Sequence, residues 1–397
     1  MIDLFYGEFL LHPAPLELSG NTCSHSCAYC FSNIRCGERY ANVTSFINSV
    51  KKAPKENTLS AILLNRGYPI CISNRTDPFS RSNISVTDTW MKYLINMENG
   101  IFFQTKGGEK YCQTMDYLSA NGKKNIVSYF TVTSRNDDVL KKIEPGAPKY
   151  RERLQQIKHA VKHGSLVIVA FNPLCVEWMN EEDFNTTVSE MIDAGVNHFI
   201  FQRLHMSSND IKKFTPDRLS RFGDELQKAT VRKRNEGQLY MQERLLSIID
   251  KTNALAFGMP YRTEFFKDVR LKLGKCFPSN YDFINYCFEN GTRVYNFNDY
   301  ITSLNLDSDD VFNTEFNGLS AYILRVARQV WKGNKEAQSV RTLKDVLKIY
   351  FSDKRISGSP QNNLLFQRVS DVSEPSIYFD GSIKRECRST TVTECLT

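Results

Sequence analysis

Three cysteines fall within eight residues in the stretch GNTCSHSCAYCF, residues 20–31, which follows the first candidate strand of the chain. Cys23, Cys27 and Cys30 can each supply a thiolate, and three such ligands can hold three corners of an iron–sulfur cube while leaving its fourth iron without a protein ligand. Four protein ligands close a metal site, whereas catalytic metal sites keep an open position. The spacing therefore favours a reactive metal centre over a structural one.

Short apolar runs alternate with amphipathic runs from residue 14 to about residue 205. Apolar runs bounded by polar loops predict strands, and a 3.6-residue apolar period predicts helices. Predicted strands cover residues 15–19, 69–74, 101–105, 126–133, 166–172 and 198–203, and predicted helices cover residues 38–51, 87–98, 110–120, 149–163 and 181–194. Strands separated by helices pair in parallel, with ligands in the loops at their carboxyl ends. The sequence thus predicts an α/β fold.

The alternation ends near residue 253, which divides the chain into two predicted parts. Residues 1–250 contain the sheet and close with a predicted helix over residues 216–234. Residues 251–397 are predicted to form a mixed α+β C-terminal extension of unassigned role. Its predicted elements are helices over residues 318–331 and 342–351 and strands over residues 363–369 and 376–378.

Composition narrows the class of partner and the compartment. The net charge of +7, from 51 basic and 44 acidic residues, permits a nucleic-acid partner without requiring one. Eleven cysteines in a chain without an apparent secretory signal are better interpreted as free thiols or metal ligands than as a disulfide framework. No apolar run approaches the roughly 18 residues that a membrane span needs. We therefore expect a cytoplasmic protein with no membrane partner.

The motif Cys23-x-x-x-Cys27-x-x-Cys30 after the first strand resembles the signature of the radical S-adenosylmethionine (radical SAM) enzymes. Further segments, at successive predicted strand ends, are similar to those of spore photoproduct lyase and its relatives in this superfamily. These segments are Cys71-Ile72-Ser73, Thr105-Lys106, the run from Phe130 to Arg135, Glu144-Pro145-Gly146 and Val169-Ala170-Phe171. The resemblance covers roughly residues 14–205.

The resemblance implies a partial (β/α)6 TIM-like barrel that carries a [4Fe-4S] cluster on Cys23, Cys27 and Cys30. Its implied chemistry is reductive cleavage of S-adenosylmethionine to a 5′-deoxyadenosyl radical, with electrons from an external flavodoxin- or ferredoxin-type donor. Cys71 is implied as a catalytic hydrogen-atom donor. The predicted contacts to S-adenosylmethionine are Tyr29, Ser73, Lys106, Ser134 or Thr131, and Ala170, and Asn74 joins them as a polar residue at a strand end.

Alternatives remain open for the metal and for the function. A structural zinc site completed by Cys36 or His25 is the competing interpretation of the three cysteines. Phe31 stands where the lyase has a tyrosine immediately after its third cysteine, so the sequence predicts lyase-like cofactor handling rather than reversal of a thymine dimer. The substrate is predicted to be a nucleic acid or a nucleotide. The alternatives are a radical SAM enzyme that modifies a peptide or metabolite, and a non-catalytic metal-binding protein that binds nucleic acid.

Overall fold

An eight-stranded sheet forms the centre of the protein in the computed structural model. The strands are β1 (Ile2–Leu4), β2 (Leu16–Leu18), β3 (Ile70–Ile72), β4 (Ile101–Thr105), β5 (Ile126–Thr131), β6 (Leu166–Phe171), β7 (His198–Phe201) and β8 (Leu255–Phe257). The structure describes residues 2–4, 12–18, 20, 22–30, 43–73, 75–202, 204, 211–212, 214–220, 247, 252, 254–257, 263–277, 280–305, 310–317, 340–352, 359–362, 366–369 and 375–380.

The strands lie in the sheet in chain order, from β1 to β8. β1 pairs with β2 in antiparallel fashion, and every later pair of neighbours is parallel. Within the described part of the chain, β1 and β8 are the two edges of the sheet, so the barrel is partial. The predicted α/β class is confirmed, and the six predicted strands correspond to β2 through β7.

Two strands of the sheet were not predicted. β1 and β8 have three residues each, which is too short for an alternating or apolar run to stand out from its surroundings. β8 begins at Leu255, beyond residue 250, and still pairs with β7. The sheet therefore runs past the predicted boundary at residue 250, and the division into two domains stays a prediction.

Helices separate the strands and cover one face of the sheet. They are α1 (Val43–Lys52), α2 (Leu59–Asn65), α3 (Ile84–Leu94), α4 (Tyr111–Ala120), α5 (Asp137–Ile143), α6 (Tyr150–Lys162) and α7 (Glu181–Asp193). α2 and α5 were not predicted because seven residues show too little of a 3.6-residue period. α5 begins where the Asn136 side chain accepts hydrogen bonds from the backbone of Asp138 and Val139.

Alternation along the strands gives the sheet two different faces. On the face toward the helices, the ring of Phe103 lies 5.2 Å from that of Phe79, and the ring of Phe130 lies 4.9 Å from that of Tyr111 on α4. The other face, which we call the inner face, carries Cys71, Phe102 and Tyr129, and the last two have ring centroids 6.3 Å apart. The inner face is the concave side of the partial barrel.

The described residues after β8 form α8 (Thr263–Leu273), α9 (Asn280–Asn290), β9 (Arg293–Asn296), α10 (Phe297–Ser303), α11 (Leu343–Ser352), β10 (Phe366–Arg368) and β11 (Ser376–Phe379). The last three strands form an antiparallel sheet in the order β10-β11-β9. Phe283 lies among its aromatic side chains, stacked on Phe366 at 5.5 Å. α8 lies at the amino ends of the parallel strands, where Asp268 contacts His198 at 3.1 Å.

Three predicted helices extend into residues that the structure does not describe. The helix predicted over residues 38–51 begins in residues 38–42, outside the described ranges, and the rest of it corresponds to α1. The helix predicted over residues 318–331 lies wholly outside them, and of the helix over residues 216–234 only residues 216–220 are described, as helix. Within the described ranges, no helix has both the length and the apolar character needed to cross a bilayer.

Phe103→Ala tests the packing between the sheet and its helices. Phe103 is completely buried in a central strand, so its truncation should lower the free energy of unfolding by about 3–5 kcal/mol in urea titrations. Tyr117→Ala is the control, since Tyr117 is 40% exposed and should change that free energy by no more than about 0.5 kcal/mol. Equal effects of the two substitutions would contradict this view of the core.

Candidate functional site

The three cysteines lie in a loop, residues 22–30, that follows the carboxyl end of β2; we call it the cysteine loop. Carboxyl ends of parallel strands meet at one edge of a sheet, so this loop shares its edge with the ends of β3 to β7. Cys27 is buried, while Cys23 and Cys30 are half-buried. All three thiols are free. The sequence prediction of three thiols in one loop at this edge therefore agrees with the structure.

The loop that follows α5 holds the cysteine loop from one side. The backbone N–H of Ala28 donates to the carbonyl of Ile143 at 2.8 Å, and that of Gly146 donates to the carbonyl of His25 at 3.0 Å. A Cβ atom on Gly146 would lie 2.2 Å from the carbonyl oxygen of Ser24. Only glycine therefore allows the two backbones to approach this closely.

Glu144 lies beneath the cysteine loop and joins it to the barrel. Its buried carboxylate accepts hydrogen bonds from the hydroxyls of Tyr29 and Thr133 and from the guanidinium of Arg153. Arg153, also buried, donates to the carbonyl of Thr131 at 3.2 Å. Burial alone would raise the pKa of Glu144, but Arg153, Lys106 and these hydrogen bonds lower it to about 2. The carboxylate is therefore ionised and fully engaged.

Asp77 makes a second link between the cysteine loop and the sheet. Its carboxylate accepts hydrogen bonds from the hydroxyl of Thr105 at 2.7 Å and from the backbone N–H of Lys106 at 2.6 Å. Nε2 of His25 lies 3.2 Å from Oδ2, the same oxygen that accepts from Lys106. Burial opposes ionisation, but His25 and the hydrogen bonds hold the pKa of Asp77 below its usual value. This carboxylate therefore aligns the end of β4 with the cysteine loop.

Arg218 binds the cysteine loop from a third direction. Its guanidinium donates to the carbonyls of Ala28 at 2.6 Å and Cys30 at 3.2 Å. The same group lies 4.0 Å from the ring centroid of Phe214, which supports it from below. A positive charge consequently lies directly on the backbone that carries the second and third cysteines.

Burial and neighbouring charges set the protonation of the thiols. Burial raises the pKa of Cys23 to about 11 and that of Cys27 well above its usual range. The ammonium group of Lys106 partly offsets this for both thiols. Burial would lower the pKa of Lys106 itself, but the charge of Cys27, when that thiol is ionised, and the charge of Glu144 raise it, so the lysine stays charged. Binding of a metal ion to the thiolates would offset the free energy needed to ionise the thiols.

The geometry argues against a single zinc ion bound by all three thiols. Thiolates on one tetrahedral zinc lie roughly 3.8 Å apart. In the described part of the chain, the one group of three histidine, cysteine or carboxylate donor atoms within 4.8 Å of one another is Asp116, His159 and His163. Thiolates that bind different irons of a cube can lie farther apart. Of the two residues considered as a fourth zinc ligand, His25 faces Gly146 and Asp77, and Cys36 lies outside the described residues.

Two of the predicted cofactor contacts, Lys106 and Ser73, lie near the cysteine loop: Lys106 beside Tyr29 and Ser73 beside Gly20, which precedes the loop. Nζ of Lys106 is 5.5 Å from the ring centroid of Tyr29, in the middle of the polar groups just described. Ser73 has a positive φ of 66°, a strained conformation that is typical of functional positions. Its hydroxyl accepts a hydrogen bond from the backbone of Gly20 at 3.4 Å. Asn74, the next predicted contact, lies outside the described residues.

The remaining predicted residues lie on or next to β3, β5 and β6. Thr131 and Ala170 are register partners, and both are buried. Ser134 donates to the carbonyl of Trp178 at 2.5 Å, so the fold already uses its hydroxyl. Cys71 is fully buried in β3, and burial followed by the Glu17 charge raises the pKa of its thiol. The thiol of Cys71 therefore keeps its hydrogen, and the functional roles of all these residues stay predictions.

The fold and the site define a partial α/β barrel with three free thiols at the carboxyl edge of its sheet. The structures that resemble it are radical SAM enzymes, the superfamily that the cysteine motif resembles. Spore photoproduct lyase complexed with a dinucleoside spore photoproduct is 15% identical, with a TM-score of 0.39, and the match covers 53% of this chain and 61% of the lyase. This chain thus spans about three fifths of the lyase chain.

Two further neighbours were found in the same comparison. SuiB from Streptococcus suis, bound to S-adenosylmethionine, is 10% identical with a TM-score of 0.35, over 64% of this chain and 47% of SuiB. TsrM from Kitasatospora setae, a radical SAM methyltransferase bound to tryptophan and an S-adenosylmethionine analogue, is 11% identical with a TM-score of 0.35, over 47% of this chain and 35% of TsrM. No family model and no curated protein matches the sequence.

Several residues that shape the site were not predicted from the sequence. In the sequence, Pro145-Gly146 after Glu144 indicates a turn, and Asp77, which precedes Pro78, is equally compatible with a turn cap and with a contact to cofactor or substrate. Arg153 offers a usable signal, because it lies one helical turn before Ile157 on the apolar side of α6, where an unpaired arginine would be costly. Arg218 offers no such signal, because the sequence around it contains no pattern that predicts a contact with residues 27–30.

Glu144→Gln should lower the free energy of unfolding at pH 7 by about 3 kcal/mol, because the pKa of Glu144 falls from 4.5 to about 2 on folding. This stability is present above pH 4.5 and is lost as the pH falls toward 2. The difference between the wild type and the variant in urea unfolding should therefore narrow below pH 4.5. Glu289→Gln, at an exposed carboxylate on α9, is the control. A difference that is independent of pH would contradict the assignment.

Proposed function

We propose that this protein is a radical SAM enzyme that holds a [4Fe-4S] cluster on Cys23, Cys27 and Cys30. The observation that carries the proposal is the position of three free thiols in one loop at the carboxyl edge of a parallel sheet, beside the charged Lys106. When bound, the cluster would supply the electron, received from a flavodoxin- or ferredoxin-type donor, that cleaves S-adenosylmethionine to a 5′-deoxyadenosyl radical.

The protein's own residues have distinct tasks in this proposal. Lys106 is positioned to pair with the carboxylate of S-adenosylmethionine, since its ammonium group is half-buried and adjoins the cysteine loop. Glu144 fixes Tyr29 by accepting a hydrogen bond from its hydroxyl group. The ring of Tyr29 then has Lys106 and Trp178 as neighbours. Asp77 fixes the backbone of Lys106. The charged contact to the cofactor is thus preorganised before the cofactor arrives.

Cys71 is the hydrogen-atom donor in this proposal. Its side chain lies on the inner face, two residues before Ser73, and the thiol stays protonated because it is buried and close to Glu17. A protonated thiol can give a hydrogen atom to a carbon radical, whereas a thiolate cannot.

The proposed substrate is a nucleic acid or a nucleotide. Support comes from the net charge of +7 and from the lyase-like segments at the ends of β3, β4 and β5. An excess of basic residues favours contacts with phosphates, and such contacts make binding strongly dependent on salt. The experiments must distinguish action on a nucleic acid or nucleotide from two alternatives. One is modification of a peptide or a metabolite, and the other is metal-dependent binding of nucleic acid without catalysis.

Anaerobic reconstitution tests the reaction class. The full chain is loaded with iron and sulfide, reduced with dithionite and mixed with S-adenosylmethionine, and we expect 5′-deoxyadenosine to form. Cys27→Ala should abolish the product and the bound iron. Cys112→Ser, at a half-buried cysteine on α4, should change neither. A protein that binds zinc in place of iron and sulfide, or that releases no 5′-deoxyadenosine, would refute the proposal.

Isotope transfer tests the substrate class. The reconstituted enzyme is given deuterated DNA, RNA or peptide pools, and deuterium in 5′-deoxyadenosine identifies the pool that supplies the hydrogen atom. We expect transfer from a nucleic-acid pool, together with binding that weakens steeply as salt is raised. Transfer from the peptide pool alone would favour the alternative enzyme.

Gly146→Ala tests the anchoring of the cysteine loop. The new Cβ would lie 2.2 Å from the carbonyl oxygen of Ser24, so the loop must shift, and the iron bound per chain after reconstitution should fall at least several-fold. Gly122→Ala is the matched control: that glycine has a φ of 75° and no atom within 4 Å of the added Cβ. The control should lose some stability and keep its iron. Similar iron contents in the two variants would show that the contact does not position the loop.

A further inference from the structure

Two histidines and an aspartate converge on the outer helical layer, away from the cysteine loop. Asp116 is on α4, His159 is on α6, and His163 follows the end of α6 by one residue. Nε2 of His159 lies 2.8 Å from Oδ1 of Asp116, and Nε2 of His163 lies 2.9 Å from the same oxygen. The two imidazole rings are 4.5 Å apart. His159 and His163 are four residues apart, so they share one side of the helix.

The arrangement differs from an ordinary surface ion pair. Two imidazole nitrogens approach one carboxylate oxygen, and all three donor atoms lie within 4.8 Å of one another. The contact of His159 is a hydrogen bond, and that of His163 is a close approach to the same oxygen. A single cation at the point where they converge would bind the lone pair of each Nε2, with the ring hydrogen of each imidazole on Nδ1, together with the carboxylate oxygen. Imidazole nitrogens with a carboxylate oxygen are ligands that suit zinc and its neighbours in the first transition series.

Exposure allows a cation to reach the site and the ligands to adjust. The side chains of His159 and His163 are 25% and 22% exposed, and that of Asp116 is 55% exposed. Ligands of a tetrahedral zinc lie roughly 3.3 Å apart, so Asp116 must withdraw by about half an ångström. An exposed aspartate can do this by side-chain rotation, without moving the helix.

We propose that Asp116, His159 and His163 form a binding site for a divalent transition-metal cation, with zinc as the test ion, and that the bound ion links α4 to α6. His163 precedes β6 at its amino end, whereas the cysteine loop lies at the carboxyl edge of the sheet. The site is therefore separate from the three cysteines and independent of the proposed radical chemistry. Water completes the coordination, as in zinc sites with three protein ligands.

Zinc content and thermal unfolding of the full chain test the site. Equilibrium dialysis against zinc should give one more ion per chain for the wild type than for Asp116→Asn or His163→Ala. The same difference should persist in a Cys27→Ala background, which separates this site from the cysteine loop. Zinc should also raise the Tm of the wild type more than that of Asp116→Asn, because a ligand that binds the folded chain stabilises it.

Asp268→Asn is the matched control. Asp268 is 44% exposed and, like Asp116, contacts a histidine Nε2 on another element, but it contacts one histidine and not two. This variant should keep the full zinc content and the full shift in Tm. The proposal is overturned if Asp116→Asn and His163→Ala bind as much zinc as the wild type. It is equally overturned if the difference disappears in the Cys27→Ala background.

Discussion

A buried ion pair between Glu144 and Arg153 is the interaction on which the site depends. Both side chains are completely excluded from solvent, and breaking such a pair from one side leaves an uncompensated charge in the interior. The pair is stable because each partner makes further bonds: Glu144 accepts from Tyr29 and Thr133, and Arg153 donates to two backbone carbonyls. One carboxylate therefore ties together the cysteine loop, the segment after β5 and α6.

The cysteine loop depends on this network because it has no regular secondary structure of its own. Backbone groups that are buried outside helices and sheets must find other partners. Ile143 and Gly146 provide them on one side, and Arg218 provides them on the other. These partners are more than 100 residues away in sequence. The conformation of the three cysteines is therefore imposed by the folded barrel.

This dependence explains what the sequence could predict. β2 to β7 follow from local apolar runs, and these strands were predicted correctly. Cys23, Cys27 and Cys30 follow from a local spacing, and their role as metal ligands stays a prediction. β1 and β8 have too few residues to carry a pattern, and their pairing is set by the sheet. Glu144 resembled a turn residue because Pro145-Gly146 follows it, whereas its partners lie outside that turn: Thr133 and Arg153 are 11 and 9 residues away, and Tyr29 is 115 residues away. Arg218 is recognised only through its contacts in three dimensions, which no local pattern encodes.

The same contacts also decide the electrostatics of the cysteine loop. Burial raises the pKa of Cys23 and Cys27 and so disfavours their thiolate forms. With apolar neighbours alone, both side chains would stay protonated. Lys106 counteracts this, and Arg218 adds a second positive group on the carbonyls of the loop. Glu144 in turn is one of the groups that raise the pKa of Lys106. Removing the carboxylate would therefore weaken the loop twice, by releasing Tyr29 and by making the neighbouring lysine easier to deprotonate. A substitution at Glu144 would consequently change both the conformation of the cysteine loop and the electrostatics around its thiols.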